Sequence, residues 1–165
     1  MYERILVPLD GSKVGEAALP YVEELVLKLV PTQKVEVTLL QVITTLAHYV
    51  VAGEASARVP YTEKELNIIK RQAITYLKKS AEGLKSKGAT VKCSVAISSD
   101  AANEILKVAD KTKVSLIAMS THGRSGLSRW AFGSVTDKVL RAGLVPILTV
   151  RAPQGAEETQ TSEKR

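Results

Sequence analysis

Between Leu116 and Thr136 the chain gathers residues able to hold an anion. Gly123, Gly126 and Gly133 are interleaved with Ser120, Thr121, Ser125 and Ser128, and Ser134 and Thr136 follow. The stretch opens as an apolar run, Leu116 to Met119, expected to be a buried strand. It closes at an expected helix start, with Ser134 as N-cap and Asp137 at the third helical position. A strand, a glycine-rich loop and a helix N-terminus together bind phosphate: glycines let backbone N–H groups approach, and the helix end adds unpaired donors and a favourable dipole. Two phosphate motifs are absent. No Gly-Lys-Ser/Thr has P-loop spacing, and no Gly-x-Gly-x-x-Gly follows a strand.

A second chemical group lies near the start. Arg4 to Leu9 is an apolar run ending in Asp10-Gly11-Ser12. This reads as a strand buried on both faces, with Pro8 near its end, where a missing N–H matters least. Asp10 thus sits at the carboxyl end of a central strand, where open α/β sheets contact ligands. It serves equally well as a helix cap or a turn residue on the pattern alone. Elsewhere the chemistry is sparse. His48 has no metal-ligand partner at suitable spacing, and Cys93 alternates with Val91, Val95 and Ile97 as a small core side chain. Trp130 and Phe132 are expected to pack the glycine loop against the body.

The elements that must position these residues alternate. After the first strand, Ala18, Val22, Leu25 and Leu29 recur at helical spacing from Val14 to Val30, with Pro20 bending the first turns and Pro31 as the stop. Lys34 to Val42 reads as the second strand. Thr44 to Pro60 has no clean period and is long for a connection, a candidate flap or dimer-contact segment. Thr62 and Glu65 form a capping box for the longest helix, whose stripe is Leu66, Ile69, Ala73, Leu77, Ala81 and Leu84, with Gly88 at its end. Thr90 to Ile97 alternates like an edge strand wet on one side. Asp100 can cap the next helix, with Ile105, Leu106 and Ala109. The fourth strand spans Val114 to Met119, and the fifth Val145 to Val150. Five strands alternating with four helices imply an α/β fold: one open parallel sheet with helices on both faces and right-handed crossovers.

The chain has 165 residues, 45% hydrophobic and 24% charged, which fits a single globular domain. One cysteine excludes an internal disulfide and suits a reducing compartment. Nothing resembles a signal peptide and no apolar run is long enough for a bilayer, so a cytoplasmic protein without membrane partners is expected. The net charge of +6 invites a nucleic-acid reading. Yet Lys64, Lys70, Arg71, Lys78, Lys79, Lys85 and Lys87 follow one helix, interspersed with Glu63, Glu65 and Glu82 and without interleaved aromatics. A solvated helix face is the expectation, and no specific nucleic-acid partner.

From Arg4 to Arg151 the chain resembles the universal stress protein family. The resemblance rests on Ile-Leu-Val-Pro-Leu-Asp-Gly-Ser at the start, Met-Ser-Thr-His-Gly-Arg-Ser-Gly-Leu after the fourth strand, and Gly-Ser-Val-Thr-Asp-Lys-Val-Leu before Val-Pro-Ile-Leu-Thr-Val. Its ATP-binding subclass has Gly, two residues, Gly, nine residues, Gly, then Ser or Thr. Gly123, Gly133 and Ser134 match, and Ser120 stands at the first glycine. The resemblance implies a flavodoxin-like strand order, 3-2-1-4-5, as in adenine nucleotide alpha hydrolase-like folds. Asp10 and the glycine loop would then flank one crevice. The domain is expected over 1–151, with 152–165 a polar, disordered tail.

The resemblance also implies a ligand site. Adenine would lie between Pro8, Leu9 and Asp10 on one side and Val42 on the other. Ribose and phosphates would lie on Met119, Ser120, His122, Gly123, Arg124, Gly126, Gly133, Ser134, Val135 and Thr136. The implied protein is a cytoplasmic ATP/AMP-binding regulator of the stress response, a nucleotide-dependent switch that dimerises through Val145 to Val150. ATP, AMP or ADP would be the ligand, with Mg²⁺ or Mn²⁺ as an optional bridge between phosphates. The alternatives are a slow metal-dependent ATPase and a nucleotide-free interaction module of the same family. No catalytic or metal-ligating residue is implied, and the downstream partner is open.

Overall fold

The computed structural model describes residues 2–44, 46–52, 55–122 and 132–152; for 46–52 and 55–59 it describes the backbone alone. Strand β1 (Arg4–Leu9) buries both its faces, because Ile5, Val7 and Leu9 point to one side and Leu6 to the other. Both sides are covered. Helices α1 (Leu19–Leu29) and α2 (Glu63–Ser86) pack Val22, Val26, Leu77, Ala81 and Leu84 against the first face. Helices α3 (Ala101–Thr112) and α4 (Ser134–Ala142) pack Ala102, Ile105, Ala109 and Val139 against the second. Each fully buried Leu, Ile or Val contributes about 1.5–3 kcal/mol, and these two layers hold the sheet.

With β2 (Glu36–Ile43), β5 (Thr90–Ile97), β6 (Leu116–Ser120) and β7 (Ile147–Val150), the main sheet has the order β5-β2-β1-β6-β7, and all its pairs are parallel. Counted along the main sheet alone, this is the 3-2-1-4-5 order implied above. β5 is an edge strand, as its alternation requires. Lys92 on β5 is exposed and pairs with Glu36 of β2, at 2.8 Å, while Cys93 packs half-buried against the core. Burial pushes the Cys93 thiol above its usual range.

Several boundaries differ from expectation: β2 spans Glu36–Ile43 rather than Lys34 to Val42, and β6 spans Leu116–Ser120 rather than Val114 to Met119. The stretch 44–60 holds a separate antiparallel hairpin, β3 (Leu46–Ala52) and β4 (Ala55–Pro60), that does not join the main sheet. The side chains of residues 46–59, His48 included, lie outside the described residues. The first helix does not run through Pro20. A 3₁₀ turn, Gly15–Ala18, precedes α1, and Pro20 falls in the first helical turn, where no intrahelical N–H bond is lost. The last strand begins at Ile147 rather than Val145. Finally, α4 is capped by Gly133, with Ser134 as its first residue; Asp137 is therefore one position deeper and donates its N–H to the Gly133 carbonyl, 2.9 Å.

Other signals hold. Thr62 and Glu65 bond reciprocally at the start of α2, Asp100 caps α3, and Gly88 takes φ +94° after α2. The lysines and arginine of the α2 face are exposed. One does not: Phe132 is exposed rather than packed against the body. Trp130 and the tail from 153 onward lie outside the described residues.

Candidate functional site

The sheet opens where β1 and β6 part. Their register runs only through Ile5–Leu116 and Leu6–Ile117, whereas β1 stays paired with β2 as far as Leu9–Gln41. Pro8, lacking an N–H, lies in this unpaired stretch, where its missing donor breaks no ladder bond to β6. The gap leads into a cavity of about 250 Å³. That is slightly below the usual small-molecule range of about 300–1,000 Å³.

Every anticipated site residue within the described part lines this one cavity. Pro8, Leu9 and Asp10 come from the end of β1, and Val42 from β2. Met119, Ser120 and His122 come from the end of β6 and the residues after it. Gly133, Ser134, Val135 and Thr136 come from the start of α4. Gly123, Arg124 and Gly126 lie outside the described residues.

Four lining residues were missed: Gly15, Leu40, Ala101 and Ile105. Leu40 could have been found by period, because it shares the β2 face with Val42. Ala101 and Ile105 belong to the first turns of α3. Its N-terminus reaches the crevice only through packing between the helices, which no local motif encodes.

The cavity has two chemically different ends. At the β1 end, Gly11 takes φ +84° and turns the chain back, so that the backbone N–H and hydroxyl of Ser12 both reach Asp10 Oδ1, at 3.0 and 2.6 Å. Behind this turn stands Tyr76 of α2. Burial pushes the Tyr76 hydroxyl well above its usual range, with the Glu16 and Asp10 carboxylates adding to the effect. The hydroxyl therefore stays neutral and able to donate at neutral pH.

At the other end, two bonds anchor α4 to the end of β6, and a third ties that end to β7. Thr136 Oγ1 donates to the Ser120 carbonyl (2.9 Å), Gly133 N–H donates to the Thr121 carbonyl (2.8 Å), and Thr121 N–H donates to the Val150 carbonyl (2.8 Å). Two expectations are refined here. Gly133 does not offer its N–H to an anion, because that donor is spent within the loop. Thr136 is buried and its hydroxyl hydrogen is likewise spent, so its role is to fix the helix end. The donors that remain by helix geometry are the N–H groups of Ser134, Val135 and Thr136, the first turn of α4.

Ser120, at the position of the expected glycine, is buried, and its Oγ accepts the His122 N–H at 3.4 Å. The His122 ring bonds through Nδ1 to Thr121 Oγ1 at 3.0 Å; its Nε2 is buried without a partner among the described residues. Between the two ends the wall is apolar: Leu40, Val42, Ile105 and Met119. Such a site suits a flat apolar group carrying hydroxyls at one end and an anion at the other. Across the outer side, Lys138 of α4 pairs with Asp100, the cap of α3, tying together the two helices that wall the cavity. This pairing holds the Asp100 carboxyl below its usual range. Among the described residues no group of three His, Cys, Asp or Glu is placed to hold a metal ion, and no helix is long and apolar enough to cross a membrane.

Comparison with known proteins agrees with this architecture. The model of the universal stress protein family matches residues 1–151. Universal stress protein YxiE of Bacillus subtilis is 28% identical over 156 residues, covering 92% of this chain and all of YxiE. The solved structure of MJ0577 from Methanocaldococcus jannaschii, itself a universal stress protein, superposes with a TM-score of 0.72 at 26% identity, covering 93% of this chain and 98% of that one. A universal stress protein family structure from Arabidopsis thaliana with AMP bound shares the fold at a TM-score of 0.61 and 12% identity, covering 95% and 96% of the two chains.

Proposed function

The chain belongs to the universal stress protein family, and from that premise we propose that it is an adenine-nucleotide-binding regulator of the stress response, acting in the cytoplasm as a dimeric switch. The observation that carries the reading is the convergence of β1, β2, β6 and α4 on one cavity with an acidic end, an apolar middle and a helix N-terminus. Each part meets a piece of ATP or AMP. The apolar wall takes adenine between the end of β1 and Val42. The Asp10 carboxylate accepts hydrogen bonds from the nucleoside. Ser134, Val135 and Thr136 present N–H groups and the positive helix dipole to phosphate. That AMP is bound in the Arabidopsis relative supports the choice of ligand class.

A divalent cation such as Mg²⁺ or Mn²⁺ would be held mainly by the phosphates, since the described side chains offer no cluster for it. Rapid hydrolysis also needs a positioned base and charge on the transferring group. The described part of the cavity supplies His122 with Nδ1 engaged by Thr121, which favours binding over turnover. Native mass spectrometry of freshly purified protein tests the reading: AMP, ADP or ATP retained in stoichiometric amount supports it. A ligand of another class in the cavity would refute it.

A further inference from the structure

We infer that Ser12 is a positioning residue for the nucleotide site, and that with the vacant side-chain position at Gly15 it fixes the carboxylate of Asp10 in the orientation the ligand meets. The inference rests on the reading above and names how its acidic end is built. The N–H and hydroxyl of Ser12 make three bonds in one turn. Its N–H and its hydroxyl both donate to Asp10 Oδ1, at 3.0 and 2.6 Å, and its Oγ accepts the Gly15 N–H at 3.0 Å. The Gly15 N–H therefore orients the hydroxyl, and the hydroxyl orients the carboxylate. Oδ1 is held by two donors from one residue, so rotation of the carboxylate about its Cβ–Cγ bond is arrested.

Gly15 is needed for a second reason. A Cβ there would lie 2.2 Å from Asp10 Oδ1, 3.1 Å from its Cγ and 3.2 Å from Ser12 Oγ. These are side-chain atoms, so an added methyl would displace the carboxylate rather than break the fold. Asp10 and Gly15 line the cavity. Ser12 does not, so its effect on a ligand passes through Asp10. Holding a group in its bound geometry before the ligand arrives improves affinity by reducing the ordering cost of binding.

Calorimetry with AMP on Ser12→Ala, Ser12→Thr and Gly15→Ala, each alone and combined with Asp10→Ala, tests this. Circular dichroism checks that each variant is folded. Ser12→Ala and Gly15→Ala should each lower AMP affinity by about tenfold, the loss of a charge-assisted hydrogen bond, and Ser12→Thr should retain most of it. With Asp10 already Ala, the same changes should alter affinity less than about twofold, because coupled residues are non-additive. Crystal structures of ligand-free Ser12→Ala and Gly15→Ala should show the carboxylate displaced; an unmoved carboxylate in either overturns the inference. So do wild-type affinity in Ser12→Ala or Gly15→Ala, and an equal loss with and without Asp10. Wild-type protein that binds no adenine nucleotide overturns the functional reading itself, and this inference with it.

Discussion

Thr136, in the first turn of α4, donates its hydroxyl to the carbonyl of Ser120, the last residue of β6, across 2.9 Å in a buried setting. The bond joins residues sixteen positions apart and sets the distance between the strand end and the helix N-terminus. Thr136→Val keeps the shape and removes the donor. A buried carbonyl left unpaired costs about 1–3 kcal/mol, and a domain of this size loses about 2–4 °C of Tm per kcal/mol. Calorimetric Tm should therefore fall by several degrees. AMP should be weakened more than adenosine, because the displaced element is the one assigned to phosphate.

Gly133 takes φ −59° and ψ 151°, a conformation open to any residue. A Cβ there would meet only the Thr121 carbonyl oxygen at 3.5 Å and His122 Cα at 3.7 Å, ordinary contacts. The fold therefore does not require glycine, and the cavity it lines is what a larger side chain would fill. Gly133→Val should fold with Tm within about 2 °C of wild type and lose AMP affinity by more than about tenfold. Equal affinity in the two proteins would place the ligand elsewhere.

The buried Tyr76 hydroxyl makes a pH prediction. Its ionisation is raised in the folded state by burial first, then by Glu16, above the ordinary tyrosine value of about 10. The folded chain thus holds the proton to higher pH than the unfolded chain. This contribution to stability is complete below about pH 10 and is lost as pH rises beyond it. Thermal melts between pH 9 and 11 (roughly the ordinary tyrosine range) should fall more steeply for wild type than for Tyr76→Phe. Parallel curves would show that Tyr76 ionises as freely folded as unfolded.

β7 lies at the sheet edge with Ile147, Leu148 and Thr149 half-buried, beside a groove that includes Tyr2, Tyr21 and Leu25. An edge of this kind invites pairing with a second chain. Light scattering should give a dimer mass for wild type at micromolar concentration and a lower mass for Leu148→Lys. A monomeric wild type would contradict pairing through β7.

The parts legible beforehand were those encoded locally. Burial of residues 5–9 and 116–119 follows from their apolar runs, and the capping box at Thr62 from two side chains three residues apart. Asp10 and the α4 end fall on one cavity because the strand order makes β1 and β6 neighbours. What escaped depended on packing. Ala101 and Ile105 reach the cavity because α3 lies against α4, and β3 and β4 form a two-stranded sheet of their own rather than extending the main one. The one-residue displacement of the α4 cap runs against local preference, which ranks Ser134 above Gly133 as an N-cap; the Gly133 N–H is instead bonded to the Thr121 carbonyl beyond the strand end.

The central claim is that the cavity between β1, β2, β6, α3 and α4 binds an adenine nucleotide. Isothermal titration calorimetry of the wild-type protein with AMP and ATP, with and without Mg²⁺, tests it most directly. Saturable binding at about one nucleotide per chain, with Kd at about micromolar or tighter, is the predicted result. No saturable heat with either nucleotide up to about millimolar concentration, together with an unchanged Tm in their presence, would contradict the account.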